Sequence, residues 1–174
     1  MVGLGRGSVR LVPYRIEWKG LFDEEAARLS SILGEKILRV EHVGSTAVEG
    51  MEAKPLIDMM AAVESLEEAG NLVPVLERLG YEHRGNGGVE GRIFLAKGSR
   101  SRRTHHLSLT EPTSDHWQRS LMFRDYLRAH PEVAEEYGEL KRELARKYPE
   151  DRESYMAGKD RFIEQVIESA RTGG

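Results

Sequence analysis

The chain contains no cysteine, which removes disulfides, thiolate nucleophiles and cysteine-held zinc from consideration and fits a reducing cytosol. It has no apolar run of membrane-spanning length, and its Gly-rich start, Met1 to Ser8, lacks the apolar core of a signal peptide. An excess of positive charge is missing too. The formal net charge is −3, so the molecule as a whole is no polyanion binder, nucleic acid is not an expected partner, and any phosphate contact must be local. There is no internal repeat and no low-complexity tract. What remains is a chain of 174 residues, long enough to bury most of its surface in one domain. The expectation is a soluble, cytoplasmic protein with a loose segment at residues 1–9 and a single domain over residues 10–171.

The most informative stretch runs from Glu41 to Met60. It reads as a strand, a Gly-Ser turn, a short helix or loop, and a second strand bearing one carboxylate. Gly44 has no Cβ and lets a backbone approach a ligand closely. Ser45 and Thr46 offer hydroxyls and amides where a helix could begin, a setting that attracts phosphate. Asp58 interrupts the apolar run Leu56-Ile57-Asp58-Met59-Met60, and a charge so placed has a partner, a metal or a task. A phosphate cradle followed by a strand-borne carboxylate is the layout of a nucleotide site.

Periodicity organises the rest. Apolar residues recur at helical spacing from Glu17 to Leu33, stopped by Gly34. Lys36 to Val43 reads as a strand, and a helix opens near Glu64 that Pro74 must either begin or break. Tyr81 to Gly91 is rich in glycine and asparagine and reads as a loop. Arg92–Lys97 and Thr104–Thr110 read as two strands of a hairpin joined by the basic loop Gly98–Arg103. In the second strand His105, Leu107 and Leu109 share one face, and Thr104, His106, Ser108 and Thr110 the other. Three helices follow, over Asp115–His130, Pro131–Lys147 and Arg152–Ala170. The fold class is α/β (α+β): a small mixed sheet, flanking helices and a helical C-terminal third.

The blocks His42-Val43-Gly44-Ser45-Thr46-Ala47-Val48, Ala53-Lys54-Pro55-Leu56-Ile57-Asp58, Thr104-His105-His106-Leu107, Phe123 to Arg128 and Tyr155-Met156-Ala157-Gly158-Lys159 resemble the GrpB family. The resemblance runs from about Tyr14 to Ile167. It implies a nucleotidyltransferase-like fold, and related domains occur fused to dephospho-CoA kinase. In active nucleotidyltransferases of this fold a Gly-Ser turn holds a triphosphate, and paired carboxylates with a third acid hold divalent metal. Gly44 and Ser45 match the turn and Asp58 one carboxylate. Leu56 and Met60 occupy the places where its pair would stand, and the neighbouring strand offers His106 and Ser108 in place of an acid.

The expected site therefore has Asp58 and His106 as catalytic and metal-binding residues. Gly44, Ser45, Thr46, Lys54, Arg92, Arg102 and Arg103 are the phosphate-binding residues. Each has a plainer alternative: a capped helix start for the turn, a buried ion pair for Asp58, a polar strand residue for His106, a solvated loop for the arginines. The ligand class is a nucleoside triphosphate or a related small phosphate ester. A divalent metal, magnesium or manganese ahead of zinc, is the expected cofactor of the enzyme reading. A nucleotidyltransferase, a binding module for a nucleotide or coenzyme-A precursor that has lost the chemistry, and a structural interaction domain all remain open at this point.

Overall fold

The computed structural model describes residues 2–173. Five strands, β1 (Arg39–Val43), β2 (Ile57–Ala62), β3 (Tyr81–His83), β4 (Arg92–Ser99) and β5 (Arg102–Thr110), form one sheet in the order β1-β2-β5-β4-β3. β2 and β5 run parallel; every other pair is antiparallel. This is the mixed α/β architecture that the sequence predicts.

One face of the sheet is closed by α1 (Glu17–Leu33), α2 (Leu66–Ala69) and α3 (Val73–Arg78). Their inner residues, Trp18, Leu29, Leu33, Ala69 and Leu76, pack with Ile57, Met59, Leu95, Leu107 and Leu109 in the main core. Gly34 stops α1 as expected, but the next residues, 34–36, form a 3-10 turn, so β1 starts at Arg39 rather than Lys36. The helix expected from Glu64 is broken by a 3-10 turn at Gly70–Leu72, and Pro74 sits in the first turn of α3, where its missing N–H costs nothing.

The other face meets α4 (Asp115–Ala129), α5 (Pro131–Lys147) and α6 (Arg152–Thr172), which pack on one another. The Ser114 hydroxyl accepts from the Trp117 amide at the start of α4, and the Asp151 carboxylate accepts from the Ser154 amide at the start of α6. Gly158 lets α6 come close to α5, since a Cβ there would collide with the Leu144 side chain. Only a small apolar cluster, Val43, Met60, Ala62 and Trp117, seals α4 against the sheet. Beyond it the helices stand off, and a cleft opens.

Two expectations change. Tyr81–His83, read as part of a loop, pairs with β4 as the edge strand β3. Residues 2–9, read as loose, lie along the domain. Leu4 bridges Arg103, the Gly3 amide donates to the Pro55 carbonyl, and the Val9 side chain joins Leu144 and Tyr155.

Candidate functional site

Strand register builds the centre of the cleft. On β2, Ile57, Met59 and Ala61 turn to the main core, so the period of two turns Asp58, Met60 and Ala62 to the opposite face. β5 does the same with His106, Ser108 and Thr110. The parallel register places Asp58 beside His106 and Met60 beside Ser108. Across β5, β4 sets Ala96 beside His106 and Phe94 beside Ser108. Asp58 Oδ1 lies 3.5 Å from His106 Nδ1. The Phe94 ring meets the imidazole edge-on, with centroids 4.9 Å apart.

β1 runs directly into the Gly-Ser turn. Gly44 has φ 73° and ψ −173°, and a Cβ at this position would lie 2.8 Å from Asp58 Oδ2. The glycine thus abuts the carboxylate. Ser45 to Ala47 form a single 3-10 turn, so the first amides of the turn have no acceptor within it. Asp58 lies deep, yet 41% of its side-chain surface is open, because it forms part of the cleft floor.

The cleft has a volume of about 1210 Å³. Its walls carry Arg6, Lys54, Arg84 and Arg92 from the N-terminal segment and the sheet side, and Arg119, Lys141, Arg152 and Lys159 from the helices. Against these eight cations stand four acids, Asp58, Glu90, Asp115 and Glu153. In a chain of net charge −3, this is a local reversal of sign. Arg119 is paired with Glu164 and Asp115. Among the described residues, the other seven cations have no carboxylate within ion-pair distance.

Lys141 is 1% exposed; its ammonium donates to Ser45 Oγ at 3.0 Å and to the Glu52 carbonyl, above the Tyr137 ring. Burial, reinforced by the charge of Lys159, pushes it down to about 7. Lys159, 7% exposed, stands over the Tyr155 ring at 4.8 Å, and burial brings it to about 8 against the pull of Asp58. Lys54 reaches the same ring from the other strand connection, 5.3 Å from its centroid. Burial, with Lys159 next, lowers it well below the ordinary lysine range. For Asp58, burial opposes ionisation, but His106, Lys54 and Arg152 outweigh it and hold the carboxyl below its usual value. For His106, burial outweighs Asp58 and favours the neutral ring.

The structure brings together most of the expected residues: Gly44, Ser45, Lys54, Asp58, Arg92 and His106 all line this cleft. Arg92 donates to Ser108 Oγ at 3.2 Å and lies 4.3 Å over Phe94. Thr46 reaches the cleft wall, but its hydroxyl is spent internally on His42 Nε2 at 2.8 Å and the Leu56 carbonyl. Arg102 and Arg103 do not belong. Arg103 is buried on the hairpin, donating to Glu82 and to the Gly98 carbonyl, and Arg102 is exposed beside Gly3. Arg124 is a tie, bonded to Glu41, Asp125 and the His42 carbonyl. His105 faces the core as expected, but among the described residues its Nε2 has no hydrogen-bond partner.

Sequence reasoning missed Arg6, Arg84, Lys141 and Arg152, and the Tyr155 ring beneath Lys54 and Lys159. One signal was present. Lys141 follows Tyr137 by four residues, and Lys159 follows Tyr155 by four, so both lysines stand on the apolar stripes of their helices, where a charge needs a reason.

A second hollow of about 780 Å³ lies behind the Gly-Ser turn, between α1, α4 and α5. Its charges are largely paired, Lys19 with Asp23, Arg124 with Glu41, Arg142 with Glu52 and Glu135. His42, stacked on Phe22 at 4.8 Å, lines it, and Thr46 is shared by both hollows.

These features define a mixed α/β domain with one sheet face left as a cation-lined cleft under three helices. The chain belongs to the GrpB family, whose description "GrpB protein" matches residues 8–169. It is 39% identical over 171 residues to a glutamate-rich protein GrpB of Alkalihalophilus pseudofirmus, covering 96% of this chain and 98% of that one. It is 39% identical to UPF0157 protein YqkA of Bacillus subtilis over 94% of this chain, but spans only 47% of that protein. A dephospho-CoA kinase of Mycolicibacterium paratuberculosis is 30% identical over 96% of this chain and, again, 47% of its own length. The crystal structure of the conserved protein GrpB from Enterococcus faecalis superposes with a TM-score of 0.87 at 40% identity, covering 94% of this chain and 98% of that one.

Proposed function

We propose that the cleft binds a small phosphate ester, a nucleotide or a coenzyme-A precursor, with Ser45, Lys141, Lys159 and Lys54 around the phosphates and Arg6, Arg84, Arg92 and Arg152 extending the site. The observation that carries this reading is the pair Lys141 and Lys159: both are more than nine-tenths buried, both line the cleft, and neither has a carboxylate in ion-pair reach among the described residues. A buried ammonium without a counterion is costly. An anionic ligand removes that cost. The match to half of a dephospho-CoA kinase supports including adenosine-bearing phosphate esters among the ligands tested.

A resident divalent metal does not fit the donor set. Asp58 and His106 supply two ligands, and among the described residues no group of three or more His, Cys, Asp or Glu is placed to hold a metal. Asp58 Oδ1 faces His106, Oδ2 abuts Gly44, and Lys54, Lys159 and Arg152 surround the pair. Cations there favour anions and oppose a second positive charge. A phosphate site that works without metal is therefore favoured over a nucleotidyltransferase that depends on metal held by the protein.

Calorimetric titration with pyrophosphate, ATP and dephospho-CoA, with and without magnesium, tests this. Metal-independent binding is expected. Lys141→Met should weaken it on the order of tenfold or more, the loss of one charge-assisted contact. Asp58→Asn should leave affinity equal or higher, since it removes a negative charge. Binding that requires magnesium and is lost in Asp58→Asn would restore the metal-dependent enzyme. No response to any of the three compounds would overturn the phosphate reading.

A further inference from the structure

We propose that His106 is the nucleophile of a two-step phosphoryl transfer, carrying the phosphoryl group on Nε2 while Asp58 holds Nδ1. The inference rests on the phosphate reading of the cleft and names the chemistry the cleft would perform on its ligand.

The argument is one of arrangement. His106 and Asp58 are register neighbours on parallel strands, which fixes their backbones, and Oδ1 approaches Nδ1 at 3.5 Å. Catalytic hydrogen bonds are often this long before substrate binds and tighten in its complex. The Phe94 ring braces the imidazole from the side. Among the described residues no protein group hydrogen-bonds Nε2, and that nitrogen is not sealed from solvent. The ring thus has Asp58 at one nitrogen and no protein partner at the other among the described residues, in a cleft that Lys54, Lys141 and Lys159 also line. A carboxylate that orients a base or nucleophile, beside cations aimed at developing charge, is the general form of a covalent-transfer site. The burial that keeps the ring neutral leaves its lone pair available.

In the first step the Nε2 lone pair forms an N–P bond, the P–O bond to the leaving group breaks, and that oxygen departs with the electron pair, taking a proton from the Lys159 ammonium or from water. The ring becomes cationic with its proton on Nδ1, and Asp58 balances the charge. In the second step a water or an alcohol hydroxyl attacks phosphorus, gives up its proton to the neutral Lys159 or to solvent, and the N–P pair returns to Nε2. The net reaction moves a phosphoryl group from an ester or anhydride to a hydroxyl. His106 is a catalytic residue; Asp58 is a positioning residue.

Potassium phosphoramidate tests the step without knowledge of the natural donor, because it phosphorylates accessible imidazoles with loss of ammonia. The full chain is incubated with it in EDTA, and label at each of the six histidines is followed by mass spectrometry, with pyrophosphate affinity measured in parallel. The expected result is His106 labelled at least tenfold faster than the other five, on the order expected of an oriented base or nucleophile, with pyrophosphate protecting it. Asp58→Asn should slow that labelling while leaving pyrophosphate affinity equal or higher, a split that mere structural support would not give. Pyrophosphate binding with His106 unlabelled, or labelled no faster than the rest, overturns the nucleophile and leaves the phosphate reading intact. Fast labelling of His106 with no binding of, or protection by, pyrophosphate, ATP or dephospho-CoA overturns the phosphate reading instead.

Discussion

Lys141 and Lys159 link burial to chemistry at the level of single residues. Both are bases whose folded values, about 7 and about 8, lie below the unfolded lysine value. Between those values the folded chain binds fewer protons than the unfolded one, so their linkage makes stability rise with pH from about 7 to about 10. Below about pH 7 the full cost of burying the charges is felt. Without added anions, the urea midpoint should therefore rise from pH 7 to pH 9; a fall would contradict the assignment. An anion that binds the two ammonium groups must restore their protons. Sulfate, which does not titrate in this range, should bind at pH 8 with net proton uptake, read by calorimetry in buffers of different ionisation enthalpy. Gly44 makes a second residue-level case. Its backbone lies in a region that only glycine occupies freely, and a Cβ would meet Asp58. Gly44→Ala should cost roughly 1–3 kcal/mol of stability, measurable by urea denaturation; a neutral effect would show that the turn rearranges at no cost.

Among the elements, legibility followed length and period. α1, α4, α5 and α6 each run for 15 residues or more, long enough for the apolar stripe to be read. The alternation of β5 put His106 on the correct face, because a period of two needs no tertiary knowledge. β3 was not legible: three residues carry too little pattern, and the glycine-rich turn directly after them masked its end. Lys141 and Arg152 could not be joined to Asp58 from sequence, since 83 and 94 residues separate them from it and only the packing of the helices brings them together. The basic hairpin loop misled for the opposite reason. Its arginines are near His106 in sequence, but Arg103 is consumed by Glu82. The N-terminal segment is held by real burial, as Leu4 and Val9 show. Leu4→Asp should lower stability by about 2 kcal/mol or more, the loss of one buried leucine plus the charge it brings. An unchanged melting temperature would show the segment to be dispensable.

Across the whole molecule, the buried histidines make stability depend on pH on the acid side. Burial drives His42, His105 and His116 down to about 4, so each stays neutral in the fold where the unfolded chain would charge it. Stability should fall as pH drops from about 6.5 toward 4. Asp58, held low by its cationic neighbours, adds to the loss in the same direction at the acid end of that range. Melting temperatures at pH 7 and pH 5 give the check, and a flat profile would mean these imidazoles are better solvated than their burial implies. The charge distribution is uneven: a chain of net charge −3 gathers eight cations against four acids along one cleft.

Thr46 forms a partition one residue thick. On one side is the hollow with His42 and Phe22, on the other the floor with Asp58, and its own hydroxyl is tied to His42 and to the strand leading into Asp58. Two tenants of adjoining rooms would share that wall, and a push from either would be felt by the other.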